Sequence, residues 1–337
     1  MVKKKIFLVA YNSTTGGGRS LLDSLMYEIN ISNNYIIHPN SLIYKTSSFK
    51  KIIYLFFLKF IPIDFEDTIV LNLTNYPISF YNKSISKEIC LIHNSLIFEN
   101  IDLSYFKNLK FFFRVLIQKC FFKISFFLSN KSKLQLVVQT NYMNQLILKK
   151  ININTKIIKL HKPPNYYLKE KKITLPKKKY WLISGNNLIH KNLEYLKNII
   201  KGLDKNFVFV TTITDFNNFL NSHNEDIRPT LSKKIINYGY LEADQYKYLI
   251  LNCQGIINLS KTESLCISFL ESIYYKKYII CLDFTYSKSF FNNKIKLFDV
   301  LDPNLIIETL NGSNFRELYH DFPLSSILDS LLDHYSK

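Results

Sequence analysis

The chain has 337 residues, with 44 Lys and Arg against 26 Asp and Glu and 47% apolar residues, which is material for two domains of roughly 150 to 170 residues each. Abundant aromatic and β-branched side chains, with no low-complexity tract or internal repeat, exclude a disordered or fibrous chain. No run of about eighteen apolar residues is present to form a membrane-spanning helix. The charge of +18 is uneven: residues 1–177 carry 26 Lys and Arg against 9 Asp and Glu, whereas residues 178–337 carry 18 against 17, so the first half is expected to face something anionic.

In chain order, "MVKKKIFLVAYNS" has a basic start but an apolar run too short for a signal peptide, and it reads as a first strand. "TTGGGRS" (Thr14 to Ser20) follows as a turn before a helix. There Gly16, Gly17 and Gly18 let backbone amides approach a phosphate or sugar oxygen, although a plain flexible turn has the same composition. The runs "TIVLNL", "KEICLIHNS", "LQLVVQT" and "KIIKLH", separated by helix-period segments, predict parallel strands buried on both faces. His93 closes the second of these, where either a ligand-facing or a structural histidine can sit.

Tyr105 to Lys131 predicts a helix carrying Lys107, Lys110, Arg114, Lys119 and Lys123 among phenylalanines and leucines. This is either an interfacial helix on an anionic membrane or a core helix with a solvated basic face. Phe49 to Pro62, "FKKIIYLFFLKFIP", has the same character. Prolines and lysines then break the rhythm in residues 161–179, the expected linker between an N-terminal domain (1–160) and a C-terminal domain (180–318), with a last helix in 319–337 that packs back towards the first domain.

The second half predicts strands at "YWLISG", "NFVFVTT", "KIINYGY", "QGIINLS", "YIICLD" and "IKLFDV", with helices from Lys191, Glu242 and Ser264. Two such alternations indicate two doubly wound α/β domains, whose ligands lie beyond the carboxyl ends of the strands. Lys191, in "SGNNLIHKN", stands where a cation meets a phosphate, or is a solvated surface lysine. In "KTESLCISFLE", Glu263 is expected just before a helix starting at Ser264, with Glu271 two turns into it, about 12 Å further along the axis. Carboxylates so separated share no proton and no metal. They either hold two ends of an extended ligand or are a capping Glu and an unrelated core-edge Glu. The cysteines (Cys90, Cys120, Cys253, Cys266 and Cys281) are odd in number, widely spaced and set among apolar residues, which predicts buried, reduced thiols rather than disulfides or a zinc site.

Taken together, the glycine-rich turn, the strand-ending His93, "GxxxxxKN" and "ExxxxxxxE" occur in the order that resembles the GT-B glycosyltransferases of the retaining family 4 type. The likeness covers most of the chain and is strongest over 181–283. It implies the GT-B fold, two Rossmann-like domains facing across a cleft. By the same resemblance Glu271 holds the ribose of a nucleotide diphosphate sugar, Glu263 the donor sugar's hydroxyls, and Lys191 with the amides of Ser264, Leu265 and Cys266 the diphosphate. His93 would lie beside the donor sugar, Gly16 to Gly18 and Gly185 would line the site, and Gly239, Tyr240 and Leu241 would lie near the base. Two departures stand out: Asn186 replaces the family's arginine, and Ser264 and Cys266 replace its glycines. The implied reaction needs no metal, cofactor or protein nucleophile. The implied acceptor is a glycan or a lipid-linked, lipopolysaccharide or capsule precursor at the cytoplasmic face of the membrane, with the basic first domain on the anionic surface. A nucleic-acid partner is the competing use of the charge, without a recognition motif to support it; another GT-B activity, epimerisation or inverting transfer, fits the ordered motifs less well.

Overall fold

The computed structural model describes residues 4–10, 16–32, 34–38, 41, 68–78, 87–100, 109–158, 162–183, 185, 188–205, 207–291, 297–312 and 326–332. Asn186 and the segment Phe49 to Pro62 lie outside the described residues. The chain divides into two compact units, Met1–Tyr167 with Leu324–Lys337, and Leu168–Pro323.

The first unit is built on a wholly parallel sheet ordered β2-β1-β3-β4-β5-β6, with β1 Lys4–Val9, β2 Tyr35–Ile37, β3 Thr68–Asn72, β4 Glu88–Ile92, β5 Leu134–Val138 and β6 Lys156–Ile157. The apolar runs form its centre because β3 and β4 are buried along their whole length and need side chains that pack on both faces. Helix α1 (Gly16–Ile31) lays Leu21, Leu22, Leu25 and Ile29 against Ile6, Leu8, Ile69 and Leu71. Each such leucine contributes about 1.5–3 kcal/mol by leaving water. The same core takes up Ile327, Leu328, Leu331 and Leu332 of the C-terminal helix, Ile327–Leu332. Buried Glu28 of α1 holds that helix at its start, accepting from the Ile327 amide at 3.2 Å, the Leu328 amide at 2.7 Å and Ser326 Oγ at 2.7 Å, and from the Tyr167 hydroxyl at 2.6 Å. A carboxylate at a helix N-terminus satisfies amides that have no partner within the helix. Helices α2 (Leu109–Leu128) and α3 (Asn141–Ile151) complete the described part, α3 starting on the Thr140 side chain and ending at left-handed Asn152.

The second unit has a five-stranded parallel sheet ordered β11-β10-β7-β8-β9: β7 Tyr180–Ile183, β8 Val208–Thr211, β9 Ile235–Asn237, β10 Gly255–Asn258 and β11 Tyr278–Cys281. Around it are α4 (Leu196–Ile200), α5 (Phe216–Asn221), α6 (Arg228–Lys234), α7 (Ala243–Asn252), α8 (Ile267–Tyr274), α9 (Thr285–Phe291) and α10 (Pro303–Asn311). Trp181, Phe209, Phe219, Ile257 and Ile280 centre one core, and Leu182, Val210, Leu249 and Ile256 the other, one on each face of the sheet.

Three expectations are corrected and one strand was missed. Gly16 to Gly18 are the first three residues of α1, not a turn before it. Strand β2 was not expected, because three half-exposed residues carry little apolar signal. The run "IKLFDV" reduces, among the described residues, to one bridge of Phe298 to Leu282. All five cysteines are free, but Cys120 is exposed on α2 rather than buried.

Candidate functional site

In a doubly wound sheet, ligands bind where neighbouring strands send their connections in opposite directions. In the second unit that point lies between β7, whose chain proceeds to β8, and β10, whose chain proceeds to β11. Gly185 follows β7, and Ser260 to Glu263 follow β10. Lys191 ends a short 3-10 turn, Ile189–Lys191, closed by left-handed Asn192, and the Lys261 amide donates to the His190 carbonyl at 2.8 Å, tying the two post-strand loops together.

At this point Lys191 Nζ is ion-paired with Glu263 Oε1, an oxygen that also accepts from Ser260 Oγ at 2.8 Å. Their side chains are 18% and 13% exposed, so the pair is sheltered but reachable. Both bonds of the carboxylate fall on Oε1, and the ammonium uses one of its three donors, so among the described residues each group keeps capacity for a further partner. Burial works against the Lys191 charge, but Glu263 and Cys266 together offset it and raise the lysine above its ordinary value. The site therefore holds a permanent cation at neutral pH.

Gly185 makes the placement possible. Its φ of +113° is strained for any residue with a side chain, and a Cβ there would stand 3.1 Å from Lys191 Cδ, so the lysine stem lies across the glycine. Neighbouring His190 is neutral, its pKa lowered to about 4, first by burial and then by Lys191.

Helix α8 begins at Ile267 with Cys266 as its N-cap, three residues later than the sequence suggests. Ser264 and Leu265 therefore belong to the preceding turn, and Glu271 is the fifth helical residue, little more than one turn in. The 12 Å axial spacing expected between Glu263 and Glu271 does not apply, because no helix connects them. The Cys266 thiol turns inward, accepting from Asn258 Nδ2 at 2.5 Å and meeting Ser268 Oγ at 2.8 Å, while Asn258 Oδ1 accepts from the Ser260 amide at 2.9 Å. Burial, then Glu263, pushes that thiol up to about 12, which removes it as a nucleophile. Glu271 is buried, and its charge adds to burial in raising Tyr246, a residue the sequence reading missed, well above its ordinary value. Gly239 has φ +64° in the loop after β9, followed by exposed Tyr240 and half-buried Leu241.

In the first unit, His93 follows β4, and the sequence did not reveal its partner. Asn75 Oδ1 accepts from the His93 amide at 2.6 Å and Asn75 Nδ2 meets the ring Nε2 at 3.2 Å. The backbone contact sets the amide orientation, so Asn75 Nδ2 donates and Nε2 accepts, leaving the proton on Nδ1. Burial lowers the ring's pKa to about 4, against a hydrogen bond to the Leu91 backbone. The imidazole is a neutral, anchored ring whose protonation does not change near pH 7. A cavity of about 540 Å³, lined by Phe126, Lys131, Gln135, Thr155 and Lys156, lies at the amino ends of β5 and β6, away from the strand ends that carry these residues.

No protein-family model and no curated protein matches the sequence. Solved structures do match. The chain is similar to WaaG, "a glycosyltransferase involved in lipopolysaccharide biosynthesis", at 10% identity and a TM-score of 0.60, covering 94% of this chain and 92% of that one. It is similar to Anabaena HepE in complex with UDP and glucose at 11% identity and a TM-score of 0.60, covering 99% and 95%. Against S. aureus TarM, solved with UDP and an α-GlcNAc-glycerol, the identity is 16% and the TM-score 0.53, and the matched region is 76% of this chain but only 50% of TarM. At such identities the likeness establishes architecture: the two doubly wound units of this chain have the GT-B fold.

Proposed function

We propose that this chain is a retaining glycosyltransferase that moves a sugar from a nucleoside diphosphate sugar to a glycan or lipid-linked acceptor at a membrane face. The Lys191–Glu263 pair over Gly185, at the topological switch point of the second unit, carries this reading. A sheltered cation and carboxylate with unused bonding capacity suit a ligand having an anionic diphosphate and a hydroxyl-rich sugar side by side. Glu263 takes the donor sugar's hydroxyls and Lys191 the diphosphate. Glu271 takes the ribose, the turn Ser264 to Cys266 borders the phosphates, and Gly239 to Leu241 borders the base. In the first unit, His93 contributes an anchored ring and backbone after β4, and Gly16 to Gly18 offer the first amides of α1. One of the neighbours named above, WaaG, is a glycosyltransferase by title, and the other two were solved with UDP, which supports a uridine nucleotide as the first donor to try.

In the reaction the bond from the anomeric carbon to the phosphate oxygen breaks as the acceptor oxygen bonds to the same face of that carbon. The acceptor's proton passes to the departing phosphate. Lys191 stabilises the charge growing on the leaving group, the kind of preorganised electrostatic contribution that dominates such catalysis. No metal and no protein nucleophile enters the scheme. The deciding experiment is a thermal-shift screen of nucleotide sugars with Glu271→Ala as control. One donor is expected to raise the melting temperature of the wild type and not of the variant; no response from any donor, or an equal response from both proteins, overturns the assignment.

A further inference from the structure

The cavity at the amino ends of β5 and β6 has no part in the scheme above, yet its walls have a definite chemistry. Strand β5 pairs with β4 from Leu134 onwards, but β6 joins it only opposite Val137, so three residues of β5 project beyond the edge strand and leave a notch in the sheet. The notch holds about 540 Å³, the size of a pocket for a small organic molecule. Side chains alternate along a strand, so Leu134 and Leu136 leave one face of β5 and Gln135 the other. Phe126 of α2 and Ile153, from the segment before β6, join the two leucines in an apolar wall. Lys131, Gln135, Asn154 and Lys156 supply the polar part, and none of the described lining residues is an Asp or Glu. Lys131 Nζ donates to the Phe126 carbonyl and lies 3.1 Å from the centre of the Phe126 ring, which leaves the ammonium two further donors. Partial burial lowers the pKa of Lys131, and among the described residues no carboxylate stands close enough to offset it.

We propose that this notch binds a small organic anion, a carboxylate or phosphate head on an apolar body. Lys131 and Lys156 meet the head as cations, with the Gln135 and Asn154 amides as further donors. Phe126, Leu134, Leu136 and Ile153 cover the body and take it out of water. The lining excludes the other occupants. Two lysines without a carboxylate repel a metal ion, a bare inorganic anion leaves the apolar wall wet, and a neutral apolar molecule makes no use of the cations. An extended peptide adding to the open edge of β5 meets only three residues, too few for a stable ladder. Because the strands are parallel, the notch lies at the opposite end of the sheet from His93, so the proposal does not rest on the enzyme reading.

The test is isothermal titration calorimetry of the full chain with phenylbutanoate and with phenyl phosphate, against neutral phenylbutanol and against acetate and inorganic phosphate. At least one of the two aryl anions is expected to saturate a single site per chain, and the tighter of them tells whether the head is a carboxylate or a phosphate. The alcohol and the bare anions are expected to bind at least about tenfold more weakly. Lys131→Gln lowers the affinity about tenfold without moving the melting temperature, because the lysine is exposed. Leu134→Trp fills the notch and abolishes binding, and should that variant unfold, Lys131→Gln and Lys156→Gln carry the test. No saturable binding of either aryl anion, equal binding of the alcohol or of the bare anions, or undiminished binding by the lysine variants overturns the proposal. A donor-induced thermal shift is expected to persist in Lys131→Gln while the aryl anion is lost, which separates the notch from the nucleotide site. Failure of every donor in the wild type concerns the enzyme reading alone.

Discussion

The strand ends of the two units use similar side chains to opposite effect. In the first unit, fully buried Glu88 accepts the Ile78 amide on both oxygens at 3.0 Å and Asn72 Nδ2 at 2.5 Å, and Asn72 is itself held by Thr74 and the Tyr76 carbonyl. In the second unit, Glu263 is held by two side chains, Lys191 and Ser260, and remains partly exposed. A carboxylate held in the dry interior by a backbone amide and a buried, itself anchored side chain cannot exchange partners without local unfolding. One held by side chains at the water boundary can. Partner type and access, more than the presence of a charge, distinguish the structural carboxylate from the one suited to a ligand.

The sharpest challenge to that distinction is Lys191→Ala. Transfer is expected to fall about 100- to 1000-fold, as when a preorganised charge stabiliser is removed, with little change in melting temperature. Single-turnover kinetics at saturating donor measure it. Transfer at the wild-type rate eliminates the leaving-group role.

Glu88→Leu reverses the pattern. Loss of the acceptor strands the Ile78 amide and the Asn72 side chain in the interior, and stability is expected to fall by about 3 kcal/mol in urea unfolding. The donor-induced thermal shift persists, since Glu88 lies in the first unit's buried network. If stability holds while donor binding disappears, the contrast between the two carboxylates collapses.

Each unit also contains one neutral histidine, His93 and His190, each with its pKa lowered from 6.5 to about 4. Because the folded value is the lower one, the unfolded chain takes up protons first as the pH falls. Their contribution is thus complete above pH 6.5 and is lost as the pH drops through about 4, with a slope of up to about 1.4 kcal/mol per pH unit for each histidine between those limits. Denaturant titrations from pH 4 to 7 on His93→Gln and His190→Gln test the assignment, each substitution being expected to remove one such contribution. An unchanged slope in either variant shows that the histidine concerned is not buried in its neutral form.

The smallest expected effect is that of Gly185→Ala, about 1–2 kcal/mol of backbone strain. Its added Cβ also presses on the Lys191 stem, so the donor KM is expected to rise more than the stability loss explains. An alanine variant with unaltered donor KM shows that Gly185 serves only its own turn.

Much of the fold was legible from the apolar runs, because a parallel strand buried on both faces leaves an unbroken apolar signature. Strand β2 was not, since it is short and half exposed. The start of α8 was misread because Leu265 and Cys266 are buried beneath a turn, where apolar residues look like a helix face. Lys191, Glu263 and Gly185 were legible as candidates, yet nothing local shows that Lys191 and Glu263, 72 positions apart, pair. Nor does the sequence show that Asn75 sets the His93 tautomer, or that Glu28 holds a helix about 300 positions away.

By itself the sequence determined which segments leave water, where the charge accumulates and which residue types stand after each strand, since these follow from local pattern and composition. Only the tertiary structure decided which charges meet, which histidines stay neutral and where the edge of β5 is left uncovered. Those properties depend on neighbours distant in the chain and on exclusion of water, neither of which a local pattern contains.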